Sequence, residues 1–316
     1  MLLGGELTAA GAPHCTRRRF LNVSTGQCVQ VQIPELHDHG VLRSSTEGLL
    51  LLVATGGAVR LLNPLTRQAA ELPPITGLDF THAHIGQVSP NNAGLVDDGR
   101  RVVLYDYGRE EGSILAFAKP GDERWVLVKA TNDLLRHTVS FAGRFYGVTL
   151  DSVMVVDTTA GGGEDAKLAM AAKLATPIRQ MMNDTAHLVE IAGKLMLVHR
   201  KMRCVRGAGG EYNDFKRTCK LYRVNLATGK ATPAAARGRA IFVGRRRSLA
   251  VSPQVFPSLS TNTVYAARDF DVPGSGREIC TYHLRDGGTE TFNCHESSLL
   301  PHPWSIADCL TAYVRG

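Results

Sequence analysis

The sequence predicts an all-β fold, a β-propeller of about six blades with room for a seventh, each blade made of four antiparallel strands. Three observations point there. A six-residue turn phrase is written three times, as NVSTGQ at 22–27, NPLTRQ at 63–68 and NLATGK at 225–230. A second phrase, a small residue or Glu, then Gly, then an apolar run, recurs as TEGLLLLV from Thr46, FAGRFYGV from Phe141 and IAGKLMLV from Ile191. The 32 Gly and 14 Pro punctuate a chain of short apolar runs, which suits many turns and few long helices.

Each Asn phrase lies between strand-like runs: RRRFL and CVQVQI around the first, AVRLL and AAELP around the second, KLYRV and ATPAA around the third. It therefore reads as a hairpin connection, in which Asn closes a turn on its own backbone and Gly supplies a positive φ. Looser copies stand at KPGDER (119–124), DTTAGG (157–162) and RDGGTE (285–290). The Gly phrase reads as a tight turn into a buried strand. Together they define one unit: inner strand, Gly turn, apolar strand, variable loop, third strand, Asn/Asp turn, polar outer strand. Loops of unequal length, from ATGG at 54–57 to the stretch 200–217, hide the period from a fixed-spacing search.

One segment opposes this pattern. EDAKLAMAAKLA at 164–175 is rich in strong helix formers. It follows the turn at Asp157, where an outer strand belongs, and Leu168, Met170, Ala172 and Leu174 alternate with Lys167, Ala169, Ala171 and Lys173, so the prediction is strand.

Composition sets the bounds. With 44% hydrophobic and 21% charged residues in 316, the chain is globular material, and the plan is a flexible N-terminal extension over 1–16 followed by one propeller domain over 17–316. A net charge of +7 favours anionic partners but falls short of a dedicated nucleic-acid binder, so no nucleic acid is expected. The longest apolar stretch, 48–59, is too short to span a bilayer, and no membrane partner is expected. Seven widely spaced Cys without a C-x-x-C pair read as free thiols in a reducing compartment, cytoplasm or nucleus.

The phrases FLNVSTGQ, IPEL, STEGLLLL, RLLNPLTRQAAELPPI, LAFAKPGDERW, SFAGRFYGVT, GRAIFVGRRRSLAVSP and PHPWSIADCL are similar, in that order, to the plant F-box-associated family of KIB-type, kelch-like β-propellers, from about Arg17 to the C-terminus. The resemblance implies a non-catalytic, protein-binding propeller, the substrate-recognition part of a ubiquitin ligase of the Skp–cullin–F-box type. In that family the propeller commonly follows an F-box that docks on Skp. Residues 1–16 have neither the length nor the apolar helical pattern of one, which leaves assembly with Skp and cullin doubtful for this chain.

In such a blade, the loop entering the inner strand and the loop between the second and third strands emerge on one side. That side gathers IPELHDHG, ITGLDFTHAHIG at 75–86, the surroundings of His137 and His187, and the insert 200–217, and it is the expected binding face. The insert, with Lys201, Arg203, Arg206, Lys216 and Arg217 against Glu211 and Asp214, reads as a basic, Gly-broken, mobile loop suited to an acidic protein partner, the alternative being a solvated loop without one. His37, His39, His82 and His84 form H-D-H and H-A-H pairs on the same face. They lack a third-ligand spacing, so surface or hydrogen-bonded histidines on the partner-binding face are expected, with no metal. Cys204 and Cys219 flank the insert and read as free thiols, and the runs at Arg17–Arg19 and Arg245–Arg247 as solvated strand ends.

Catalytic phrases are thin. There is no G-x-S-x-G, GAGGEY at 207–212 is neither a P-loop nor a complete dinucleotide fingerprint, and the neighbouring carboxylates Asp97 with Asp98 and Glu110 with Glu111 face opposite ways on a strand. No catalytic residue and no cofactor is expected. The alternative reading is an enzyme or a propeller binding a small ligand or metal through the histidine-bearing loops at the channel mouth.

Overall fold

In the computed structural model, the described residues are 2–5, 16–44, 48–78, 92–107, 113–128, 134–157, 166–179, 184–205, 214–244, 247–267, 277–294 and 310. Their strands follow the predicted rhythm. A three-stranded sheet contains β1 (Leu2–Gly5), β2 (Arg17–Leu21) and β3 (Cys28–Gln32); residues 2–5 of the expected extension pair with β2, Leu2 opposite Phe20 and Gly5 opposite Arg18. Two four-stranded antiparallel sheets come next: β4 (His39–Ser44), β5 (Leu50–Ala54), β6 (Val59–Leu62) and β7 (Ala69–Leu72), then β8 (Asn92–Val96), β9 (Arg101–Tyr107), β10 (Ser113–Ala118) and β11 (Val126–Leu127). The third, β12 (His137–Phe141) to β13 (Arg144–Val148), β14 (Ser152–Asp157) and β15 (Lys167–Lys173), meets the fourth, β16 (Thr185–Ile191) to β17 (Lys194–Val205), β18 (Asp214–Asn225) and β19 (Lys230–Pro233), through a parallel pair of outer strands at Lys173 and Lys230. The last sheet is irregular. Its order is β21 (Ser248–Val251), β20 (Ala240–Val243), β22 (Thr263–Ala267), β23 (Arg277–His283) and β24 (Thr289–Cys294), with β20 and β22 parallel. The described strands thus form an all-β array of blade-sized sheets, the predicted class.

The repeated phrase forms one turn three times. The Oδ1 of Asn22 accepts from the Ser24 amide at 3.0 Å, that of Asn63 from Leu65 and Thr66 at 3.0 and 3.2 Å, and that of Asn225 from Ala227 and Thr228 at 3.1 and 3.2 Å. Four residues after each Asn the chain enters the left-handed region, at Gly26, Arg67 and Gly229 with φ of 75°, 65° and 65°, and that residue's amide donates back to the Asn carbonyl. The Gly phrase also keeps its geometry: Ala142–Gly143 and Ala192–Gly193 both hold two successive positive φ values, the two-residue hairpin turn that matches strand twist.

The chain divides into two compact units, one of residues 1–135, 139–146 and 155–169, the other of 136–138, 147–154 and 170–316. In the first, β5 explains the unbroken LLLL. Leu50 and Leu52 pack with Phe20, Ile33, Leu36 and Leu62, whereas Leu51 points the other way, among Val59, Leu95, Val102 and Trp125. A strand buried on both faces has no polar alternation, and each fully buried Leu contributes roughly 1.5–3 kcal/mol. Packing in this unit is close at β8, where a β-carbon on Gly94 would stand 2.7 Å from the Phe145 ring and run into Ser140 Oγ. The second unit has its own core of Met196, Val198, Leu221, Ile241, Val243, Val264 and Tyr282.

Residues 167–173 form strand β15, so position overrides helix propensity there. Its alternation is looser than predicted: Ala172 is buried but Met170 is 66% exposed. The insert 200–217 corrects the sequence reading. It is not a loop on its described residues: β17 and β18 run twelve residues each and stay in register from Met196–Arg223 to Val205–Asp214. The Gly-rich 207–210, which suggested a loop throughout, lies outside the described residues; before it the strand continues through Leu197, His199 and Lys201.

Candidate functional site

Most of the residues singled out on the insert stand on the β17–β18 hairpin, within the second unit. β16 begins at Thr185, opposite Arg200, so the rows Lys201–Thr218, Met202–Arg217, Arg203–Lys216, Cys204–Phe215 and Val205–Asp214 extend beyond it as a two-stranded ribbon. Residues paired across antiparallel strands share a face, and alternate residues change face. One face therefore carries His199 with Lys220, Lys201 with Thr218, Arg203 with Lys216 and, at its far end, the register position of Val205 with Asp214. The other carries Arg200 with Cys219 and Met202 with Arg217. Of the predicted partner-binding set, Lys201, Arg203 and Lys216 come together, Arg217 turns to the opposite face, and Arg206 lies outside the described residues.

Asp184, just before β16, organises the first face. Its side chain is fully buried and accepts both terminal nitrogens of Arg203, the Nη2–Oδ2 distance being 2.9 Å; the Arg179 amide adds a bond of 3.3 Å, and His199 Nε2 stands 3.5 Å away. Burial alone would raise the Asp184 carboxyl, but the bonds from Arg203 and Arg179 and the neighbouring positive charge outweigh it and hold the group below the usual carboxylate range. Burial and then the Lys201 charge lower His199, against the pull of Asp184. Burial also lowers Lys201, as do Arg203, Lys220 and Arg179, Asp184 opposing. Among the described residues, the charges that act on Lys201 are thus the Asp184 carboxylate, already gripped, and three cations.

On the second face, Arg200 lies over the Tyr282 ring with its guanidinium carbon 5.5 Å from the centroid, and Nη2 stands 3.4 Å from the Tyr282 hydroxyl. Cys219, beside Arg200, is pushed up to about 12 by burial although the arginine pulls the other way. The register sets Cys204 four residues along from Arg200, the partner of Cys219, roughly 13 Å away, beyond disulfide reach.

Three strands bring a buried polar cluster together deeper in the unit. His187, on β16, donates from Nδ1 to the Gly244 carbonyl at 3.0 Å and accepts at Nε2 from Thr185 Oγ1 at 3.1 Å. His137, at the start of β12, accepts the Leu188 amide at Nδ1, 3.1 Å, so the neutral ring carries its proton on Nε2 and donates it to Ser248 Oγ, on β21, at 3.1 Å. The two rings meet edge to face, centroids 5.2 Å apart. Burial, then the Arg200 charge, lower His187 to about 3, which keeps it neutral. Because His137 donates to Ser248, it is not arranged as a base for that hydroxyl.

The other histidines are placed differently. His37 ends a 3₁₀ turn, Pro34–His37, and is exposed; His39, half-buried at the start of β4, donates from Nδ1 to the Glu35 carbonyl at 3.2 Å. Both belong to the first unit, and His82 and His84 lie outside the described residues. Among the described residues no group of three or more His, Cys, Asp or Glu is placed to hold a metal. Sequence reading missed Asp184, His199, Lys220 and Arg179. Alternation along β17 would have put His199 on the Lys201 face, whereas Lys220 is placed there only by the register with β18; no local pattern marks Asp184, whose part depends on Arg203, nineteen residues on.

The family model for the KIB1-4 beta-propeller matches residues 20–283. No curated protein matches the chain. Among solved structures, it is similar to the tricorn protease at 9% identity and a TM-score of 0.39, over 87% of this chain and 28% of that one, so it spans less than a third of that protein's length. It is also similar to the Cps50 (Swd1) β-propeller domain of Myceliophteria thermophila at 11% identity and a TM-score of 0.38, over 89% of this chain and 83% of that one.

Proposed function

The chain belongs to the KIB1-4 beta-propeller family, and on that footing we propose that it is a non-catalytic, protein-binding propeller that engages an acidic partner through the β17–β18 hairpin. The observation that supports this reading is the β17–β18 hairpin, where Lys201, Lys216 and Lys220 stand at register positions of one face and the Asp184 carboxylate is already occupied by Arg203. The positive charge of such a hairpin steers association with an anionic surface.

The resemblance to F-box-associated propellers adds a biological setting, recognition of substrates for a ubiquitin ligase. Affinity capture from plant cells tests both parts. The triple variant Lys201→Ala, Lys216→Ala, Lys220→Ala should lose a recurrent partner that the wild-type chain retains; equal capture discards this face. Recovery of Skp and cullin subunits with the chain supports the ligase setting, and their consistent absence from partner-containing captures opposes it.

A further inference from the structure

Resting on that reading, we propose that the Lys201 face of the hairpin binds an extended peptide segment whose carboxylates recur at every second residue. The geometry of the ribbon argues for this form of acidic partner. Along a strand, side chains on one face repeat at about 7 Å, two residues at a time. On β17 this gives His199, Lys201 and Arg203 in one file; on β18 it gives Lys220, Thr218 and Lys216 in the next, each opposite a member of the first, and the row Val205–Asp214, with its acidic position, ends the run of cations. The cations therefore stand on a grid with the period of an extended chain. A peptide lying along the ribbon projects every second side chain toward it at the same ~7 Å step, so alternate Asp or Glu residues meet Lys220, Lys201 and Lys216 without bending.

Two features sharpen the match. Asp184 holds Arg203 by two bonds, which keeps that guanidinium from swinging out to satisfy an arbitrary anion and leaves the lysines to set the pattern. At Lys201 the charges of Arg203, Lys220 and Arg179 oppose the attraction of Asp184, and an incoming carboxylate adds to that attraction. Arg179, exposed beside the Asp184 carboxylate that its amide binds, adds a fourth cation at the margin of the grid. A compact anion or a block of adjacent carboxylates gains the net charge but not the register.

The test measures binding of two fluorescent peptides to the full chain at physiological ionic strength. Both have the same composition and net charge; one alternates Glu with Thr, and the other has its Glu residues in a single block. The alternating peptide should bind about tenfold more tightly, a difference of ~1.4 kcal/mol. The variant Lys201→Gln, Lys220→Gln should abolish that preference, while Arg217→Gln, on the opposite face, should keep it. Equal binding of the two peptides, a preference that survives the double substitution, or displacement of both by inorganic phosphate or an oligonucleotide at lower concentration would overturn the proposal. If the triple alanine variant still loses its cellular partner while the two peptides bind equally, protein recognition through the hairpin stands and only the spacing falls.

Discussion

Arg203 closes on Asp184 with both terminal guanidinium nitrogens, and the carboxylate it holds has no solvent exposure at all. Arg203→Ala leaves that charge to the Arg179 amide and His199, and should cost on the order of 3 kcal/mol in urea unfolding. The sign of the pH effect follows from the lowered Asp184 carboxyl. Its stabilisation is fully present above the unfolded value near ~3.9 and is lost as pH falls through the lower folded value. Asp184→Asn should remove that acid dependence, and an acid limb identical to wild type would contradict the role given to the pair.

His187 predicts a second, higher acid limb. Held neutral down to about 3, it takes no proton in the folded state over a range where an unfolded histidine, titrating near ~6.5, does. The unfolded chain therefore binds more protons, and stability falls as pH drops below ~6.5, by up to ~1.4 kcal/mol per pH unit for this one group. Denaturation series between about pH 4 and 7 should show a shallower slope for His187→Gln than for wild type. Some slope should remain, because burial lowers His199 as well.

Gly94 has no room for a side chain. Gly94→Ala presses a methyl group on Phe145 and Ser140 and should cost about 1–3 kcal/mol, whereas Gly56→Ala, with no atom within 4 Å of the added carbon, should be close to neutral. Thermal unfolding of the two variants side by side checks this, and equal behaviour would count against the close approach of β8 to Phe145.

Thiol chemistry offers an independent map. Cys28 is exposed, Cys280 is buried, and burial pushes Cys219 up to about 12. Brief alkylation of the native chain with iodoacetamide at neutral pH, read by peptide mass mapping, should modify Cys28 and spare Cys219 and Cys280 until denaturant is added. Rapid native labelling of Cys219 would show that the Arg200 row of the hairpin is open.

What was legible in the sequence follows the range of the interactions. The Asn turns were readable because their bonds close within four residues, from Asn63 to Thr66 and Arg67, so the letters and the geometry sit together. β15 was readable against its propensity because its place after a turn outweighed Ala and Leu content. The hairpin was half readable: Lys201, Arg203 and Lys216 were visible as charge, but the glycines at 207–210 suggested a loop, and only strand register separates Lys216 from Arg217. The His137–Ser248 bond spans 111 residues and the Arg203–Asp184 pair 19, and neither leaves a local trace. The histidine pairs were legible as a pattern but not as chemistry, since His39 spends its Nδ1 on a backbone carbonyl within its own turn.

Arg67 stands where the other two Asn turns have glycine, holding φ at 65° while its guanidinium reaches the Gln32 carbonyl at 3.0 Å and Glu35 at 2.6 Å. A designer averaging the copies would write Gly there, ease the backbone, and unknowingly cut the tether between this turn and the segment leading into β4. Departures from a repeat's common spelling are thus places to look for a second duty.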